Sequence, residues 1–197
     1  MPESQQPRVA VMVGRKGRGT NMASLLAACN SGFVPAEGRL VVAPTAGTLA
    51  EARARALGAK VAILDPQCGS YAADLLALFQ SEEIDWVCLA GYMSLLPAEV
   101  VHAYAGHILN IHPALLPLHG GKGMYGIRVH EAVLASGDSE SGCTVHYVTE
   151  QYDEGEPVYS LRCPVLPGDT PDSLADRVLE LEREAYPEAL RLVVTGR

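Results

Sequence analysis

Short β-branched runs alternate along this chain with longer segments in which apolar residues recur at helical spacing. "RVAVMV" (8–13) predicts a first strand, and "TNMASLLAAC" (20–29) a helix beyond a glycine-rich turn. "RLVVAP" (39–44) predicts a second strand, and "TLAEARARALG" (48–58) a helix closed by Gly58. "KVAILD" (60–65) and "WVCLAG" (86–91) read as strands separated by the helical "YAADLLALFQSEE" (71–83). "PAEVVHAYA" (97–105) predicts a helix with proline in its first turn, leading to the strand "HILNIHP" (107–113). Beyond a glycine-rich loop come the helix "VHEAVLAS" (129–136), the strands "GCTVHYV" (142–148) and "PVYSLRCPV" (157–165), and a long C-terminal helix over 170–194. Thr170 is placed to cap that helix, and Pro171 suits its first turn.

Strand–helix alternation as far as residue 112 dictates right-handed crossovers. The expected class is therefore α/β: a doubly wound, mostly parallel sheet with flanking helices and a Rossmann-like N-terminal half. "RVAVMV" is apolar on both faces, as a strand covered by helices on each side must be. The two strands near residues 142–165 predict an antiparallel addition. With no internal repeat and no linker, residues 1–197 are expected to form a single domain whose residues 1–7 are flexible.

Composition sharpens this picture. The chain is 48% hydrophobic and 19% charged, enough apolar material for a sizeable core. A net charge of −8 speaks against a general nucleic-acid or anionic-membrane surface, so any anionic substrate has to be met locally. The five cysteines (Cys29, Cys68, Cys88, Cys143 and Cys163) are scattered, odd in number and without a C-x-x-C pair. They read as buried thiols in a reducing cytoplasm rather than a disulfide framework or a zinc site. No signal peptide or apolar run of membrane length is visible, so the expectation is a cytoplasmic protein with no metal, no membrane and no nucleic-acid partner.

Chemistry is concentrated at a few places. The first turn, "GRKGRGTNM" (14–22), is neither a Walker loop nor a full dinucleotide fingerprint, since the third glycine is missing. Gly19 permits close backbone approach, and Thr20 and Asn21 offer donors at a helix N-terminus, where free N–H groups favour an anion. Spacing alone leaves a phosphate site and an ordinary tight turn both open, and Arg15, Lys16 and Arg18 can be solvated or in contact. In "HILNIHP", alternation puts Asn110 and His112 on one face at the carboxyl end of a core strand, where open α/β sheets bind ligands. Each alone can be a satisfied structural polar group; together they look like a site. Asp153, in "EQYDEGEPV", is a loop acid able to reach inward and orient the imidazole. His146 and Thr144, on the strand before it, can support the site side chains or pack in the core. His102 and His107 read as surface residues, and His119 and His130 as possible lining. "LAGYMSLLP" (89–97) ends another strand beside the same crevice, and its Met93, Leu95 and Leu96 either line a slot for a flat ring or pack in the core.

"NIHPALLP" closely resembles the signature of formyltransferases that use 10-formyltetrahydrofolate. "GRGTNM", "LAGYMSLL", "SGCTVHYVTEQYDEG" and "PGDTPDSLADRVLELE" extend the resemblance, in order, over roughly residues 8–196, and match the branch of that family that formylates glycinamide ribonucleotide. The resemblance implies the formyltransferase fold and a catalytic trio of Asn110, His112 and Asp153. It implies a ribonucleotide site at Gly19, Thr20, Asn21 and Glu182, and a folate site at Met93, Ser94, Leu95, Leu96 and Asn110. It also implies small-molecule substrates only: glycinamide ribonucleotide and, as co-substrate, 10-formyltetrahydrofolate, in a monomer or homodimer serving purine biosynthesis. Ser94 stands where many bacterial members carry arginine, the loop "LHGGKGMYGIR" is longer than in the shortest members, and no basic residue lies near Cys68.

The implied reaction is direct transfer. The substrate amine attacks the formyl carbon, Asn110 and a protonated His112 stabilise the oxyanion, and Asp153 raises the His112 pKa. Methionyl-tRNA formyltransferase shares "NIHP" but usually adds a C-terminal domain and a more basic surface. Formyltetrahydrofolate hydrolase usually has an N-terminal regulatory domain, for which the residues before Arg8 leave no room. A non-catalytic nucleotide-binding module would need the glycine-rich turn but not the trio. A nicotinamide dehydrogenase is disfavoured by the absent third glycine and by the lack of an acid after "RLVVAP".

Overall fold

A computed structural model describes residues 6–196. Of the leader predicted to be flexible, residues 1–5 lie outside the described part, and the Pro7 carbonyl accepts a hydrogen bond from the Glu37 N–H at 2.8 Å. The elements run β1 (Arg8–Val13), α1 (Thr20–Asn30), β2 (Glu37–Ala43), α2 (Leu49–Ala56), β3 (Lys60–Ile63), α3 (Tyr71–Ser81) and β4 (Trp86–Ala90). They continue α4 (Ala98–Ala103), β5 (Ile108–His112), α5 (Ile127–Ser136), β6 (Glu140–Tyr147), β7 (Pro157–Pro164) and α6 (Pro171–Thr195). The seven strands form one sheet in the order β3-β2-β1-β4-β5-β6-β7. β1 to β5 are parallel, and β6 and β7 add antiparallel to the β5 edge. This is the expected doubly wound sheet with its antiparallel addition and long terminal helix.

Strand alternation divides the core into two layers. Val9, Val11 and Val13 of β1 face one layer, with Leu25 and Leu26 of α1, Ala50 and Ala54 of α2, Val133 of α5, and Leu174, Val178 and Leu190 of α6. Ala10 and Met12 face the other, with Tyr71, Leu75 and Phe79 of α3 and Val100 of α4. Residues such as Met12 and Phe79 are fully enclosed, each worth about 1.5–3 kcal/mol of burial. α6 is started by a reciprocal cap in which Thr170 Oγ1 accepts from the Ser173 N–H and Ser173 Oγ accepts from the Thr170 N–H. Its Tyr186 hydroxyl donates to a shared pair of acceptors, the Leu89 and Leu109 carbonyls at 3.1 and 3.0 Å. That contact pins the helix to the ends of β4 and β5.

Three local expectations need correction. Pro97 caps α4 from outside instead of lying in its first turn. β6 begins at Glu140, two residues before the expected Gly142. Cys68 is exposed in the turn before α3, with its sulfur 3.2 Å from Ser70 Oγ, whereas Cys88, Cys143 and Cys163 are buried and Cys29 is partly so. The turn residues Asp65–Ser70 carry too few apolar side chains to enclose a thiol. Among the described residues, all five cysteines are unpaired and no helix is long and apolar enough to cross a membrane.

Candidate active site

The site grows from the β5–β6 ladder. Asn110 sits opposite His146, and His112 opposite Thr144. Leu109, Ile111, Cys143 and Val145 point into the core layer under α6, so the four polar side chains share the other face. Thr144 is a brace: its hydroxyl donates to the Ala114 carbonyl at 2.7 Å and accepts from the Leu116 N–H at 3.1 Å, holding the segment that leaves β5.

Asp153 reaches this face from the loop after β6. Its backbone is left-handed, with φ 58°, a conformation that costs an ordinary residue about 1 kcal/mol. Gly155 permits the tight return, because a Cβ there would stand 1.7 Å from the Tyr147 carbonyl oxygen. Asp153 Oδ2 accepts the Gly121 N–H at 2.9 Å and lies 3.5 Å from His112 Nδ1, while Oδ1 lies 3.5 Å from His146 Nε2.

The hydrogen bonds assign the tautomers. His112 Nε2–H donates to the His119 carbonyl at 2.8 Å, so neutral His112 turns its Nδ1 lone pair towards Asp153. His146 Nδ1–H donates to the Tyr147 carbonyl at 2.8 Å, leaving Nε2 to accept from Asn110 Nδ2 at 3.1 Å. One N–H of the Asn110 amide is thereby used, and the second is free for the cleft.

Burial depresses the His112 pKa below its ordinary value, and the opposing pull of Asp153 and of the His119 carbonyl does not offset it. The expectation that Asp153 raises the imidazole pKa is correct in the sign of that one contribution. The net shift is nevertheless downward, because the side chain is almost wholly desolvated. Burial also pushes the Asp153 carboxyl up, but contact with His146, the His112 charge and the Gly121 N–H together hold it below the usual value. The resting pair is a neutral imidazole beside a carboxylate. A proton delivered to Nδ1 would turn a lone pair facing that carboxylate into an N–H facing it.

The other predicted group assembles at the N-terminus of α1. Gly19 occupies the cap position in the left-handed region (φ 69°) without a capping side chain, so the first-turn N–H groups have no intrahelical acceptor. A Cβ on Gly19 would stand 3.0 Å from both Ala50 Cα and Cβ. Thr20 begins the helix, and Asn21 Nδ2 donates to Glu182 Oε2 at 2.6 Å, joining residues from opposite ends of the chain. Glu182 is 9% exposed, and its burial raises its pKa despite the Asn21 contact and nearby Arg183.

Asn21, Glu182, Asn110, His112 and Asp153 line a single cavity of about 480 Å³. A narrower slot of about 50 Å³ shares Asn110 and Asp153 with it. Ser94, Leu95 and Leu96 line the slot together with His146, whereas Met93, 52% exposed, lines the larger cavity. Gly19 and Thr20 lie outside the lining of both cavities. Arg15 is turned outward to Asp65 at 2.7 Å. The cations on the large cavity are instead Lys122 of the glycine-rich loop and Arg128 in the first turn of α5, the latter stacked 5.1 Å over the Tyr125 ring. Lys122, Tyr125, Arg128 and the Gly121 N–H line the cavity without having been singled out in the sequence, where the length of "LHGGKGMYGIR" is their signal, and His119, read there as possible lining, meets His112 through its carbonyl. His102 and His107 are exposed, and His130 is buried on α5 with Nδ1 unpartnered.

A family model described as formyl transferase matches residues 7–190. The chain belongs to the formyl transferase family. The Arabidopsis thaliana protein named phosphoribosylglycinamide formyltransferase, chloroplastic, is 38% identical over 99% of the chain, which spans 68% of that protein. The Drosophila melanogaster trifunctional purine biosynthetic protein adenosine-3 is 34% identical over 100% of the chain, which spans only 14% of its length. Among solved structures, glycinamide ribonucleotide transformylase 1 from Symbiobacterium toebii superposes with a TM-score of 0.90 at 36% identity, covering 99% of this formyl transferase chain and 91% of its own.

Proposed function

We propose that this formyl transferase moves the formyl group of 10-formyltetrahydrofolate to the amine of glycinamide ribonucleotide, a step of purine biosynthesis, and that residues 1–197 act as one catalytic domain. The observation that carries the reading is the shared cavity. Asn21, in the first turn of α1, and its partner Glu182 line the same 480 Å³ space as Asn110, His112 and Asp153, which supports a polar substrate bound beside the reacting groups. In this reading Gly19 and Thr20 contribute main-chain N–H groups to the phosphate, and Glu182 accepts from the ribose. Met93, Ser94, Leu95 and Leu96 flank the folate ring, with Asn110 at its formyl end.

Attack of the amine on the formyl carbon gives a tetrahedral oxyanion. The free N–H of Asn110 faces that charge, and one such donor is worth roughly 3–4 kcal/mol. The neutral His112 with Asp153 accepts the proton released by the amine at Nδ1, and the imidazolium returns it to N10 of the departing folate, so the proton count closes. Holding both substrates in one cleft supplies the proximity contribution. The five unpaired cysteines fit a reducing compartment, which we assign as the cytoplasm.

The test mixes pure protein with 10-formyltetrahydrofolate and glycinamide ribonucleotide and follows tetrahydrofolate release. Release that requires the nucleotide supports the reading. No release, or equal release without the nucleotide, overturns it.

A further inference from the structure

The hydrogen bond that fixes the His112 tautomer does not come from the substrate cavity. Its acceptor is the main-chain carbonyl of His119, a residue held in the left-handed region at φ 55°. The His119 side chain turns the other way, placing Nε2 2.7 Å from Asp138 Oδ2. Asp138 follows Gly137, the left-handed cap of α5, and the same carboxylate oxygen accepts the Ser136 hydroxyl at 2.7 Å. The end of α5 thus grips His119, and His119 presents its carbonyl to His112.

From the geometry we infer that His119 and Asp138 are positioning residues for His112: their side-chain pair aims the His119 carbonyl so that Nε2 keeps its proton and Nδ1 stays open beside Asp153. The inference rests on the proposed role of His112, and three observations support it. His119 and Asp138 line a separate cavity of about 180 Å³, and neither lines the substrate cavity, so the pair acts through His112 and not on substrate. The left-handed backbone at His119, φ 55°, is uncommon outside glycine, and the side-chain contact with Asp138 helps to hold it there. The other close polar group pulls the opposite way: the Asp153 carboxylate, an acceptor 3.5 Å from Nδ1, favours a proton on that nitrogen, so the His119 carbonyl is what keeps the proton on Nε2. The proton stays on Nε2 because that nitrogen's own partner, the His119 carbonyl, can only accept.

The ¹⁵N signals of the His112 imidazole in the unliganded protein, at about pH 8 where the ring is neutral, report the tautomer whatever reaction the site performs. In the unaltered protein they are expected to show protonated Nε2 and bare Nδ1. Asp138→Ala should shift them towards a tautomer mixture and lower kcat about tenfold, with both KM values within about twofold. Asp138→Asn, which keeps an oxygen to accept the His119 Nε2–H, should restore kcat to within about threefold. His119→Phe removes the same pair from the other side and gives the same readings should Asp138→Ala fail to fold. Unchanged His112 signals in the folded variants, or kcat within twofold of the unaltered protein, would overturn the inference. Absence of turnover in the unaltered protein would sink the proposed function alone, because the nitrogen signals still decide the tautomer.

Discussion

Replacing Asp153 by asparagine removes one charge and keeps the side-chain shape. The amide oxygen can still accept the Gly121 N–H that Oδ2 accepts at 2.9 Å, so the loop should stay in place. What disappears is a carboxylate 3.5 Å from His112 Nδ1. At that separation a unit pair interacts by roughly 5 kcal/mol at an effective dielectric of about 20. The Asp153 side chain is 10% exposed, so solvent screens only a little of this, and about 3–4 kcal/mol is a fair share for the imidazolium. That imidazolium exists only after the amine proton has reached Nδ1, so the loss falls on the transition state. The expected result is a kcat lower by about a hundredfold to a thousandfold, with KM for the nucleotide nearly unchanged. Steady-state kinetics of tetrahydrofolate release, with a calorimetric titration of the nucleotide, measures both. A folded Asp153→Asn protein with kcat within tenfold of the unaltered one, or a loss expressed wholly in nucleotide affinity, would refute the reasoning.

Three further outcomes follow from the same structure. Burial raises the Glu182 pKa, so its contribution to stability is full below the unfolded value of about 4.3 and is lost as pH rises through the higher folded value. Glu182→Gln should therefore raise the Tm at about pH 8, by about 2–4 °C for each kcal/mol recovered, leave it nearly unchanged at about pH 4, and raise the nucleotide KM. Thermal melts across that pH range and kinetics check both halves. Gly19→Ala forces a Cβ to 3.0 Å from Ala50 at φ 69°, and should lower the unfolding free energy by about 1–2 kcal/mol in a denaturant titration while weakening nucleotide binding. Tyr186→Phe leaves the Leu89 and Leu109 carbonyls without their shared donor, and should cost about 1–3 kcal/mol in the same titration.

Much of the fold is legible in the residues because each strand buries both faces or one, and each leaves its rhythm in the chain. "RVAVMV" feeds both core layers, and "TPDS" announces a capped helix that is there. Asn110 and His112 are legible for the same reason: two polar residues on one face of an apolar strand need an explanation. Asp153 is legible only as one loop acid with room to reach inward, and Glu182 through the resemblance alone, since an acid in a turn or on a charged helix has no rhythm of its own. The partners of the site were hidden for physical reasons. The His119 carbonyl and the Gly121 N–H are main-chain groups that any residue supplies, and only the folded loop aims them. The downward net shift of His112 is not legible in the sequence, because desolvation is a property of the packed site and not of the neighbouring acid. Position alone leaves Arg15 either solvated or in contact, and its partner Asp65, fifty residues away, is visible only in the fold.

The central claim is that the donor and acceptor meet in one cleft and the formyl carbon passes directly between them. A single-turnover experiment with donor labelled by ¹³C in the formyl group, excess enzyme and glycinamide ribonucleotide tests this most directly. The account predicts that the label appears in the formylated nucleotide in step with tetrahydrofolate and that none appears as free formate. Label released as formate, or tetrahydrofolate formed ahead of the labelled product, would contradict it.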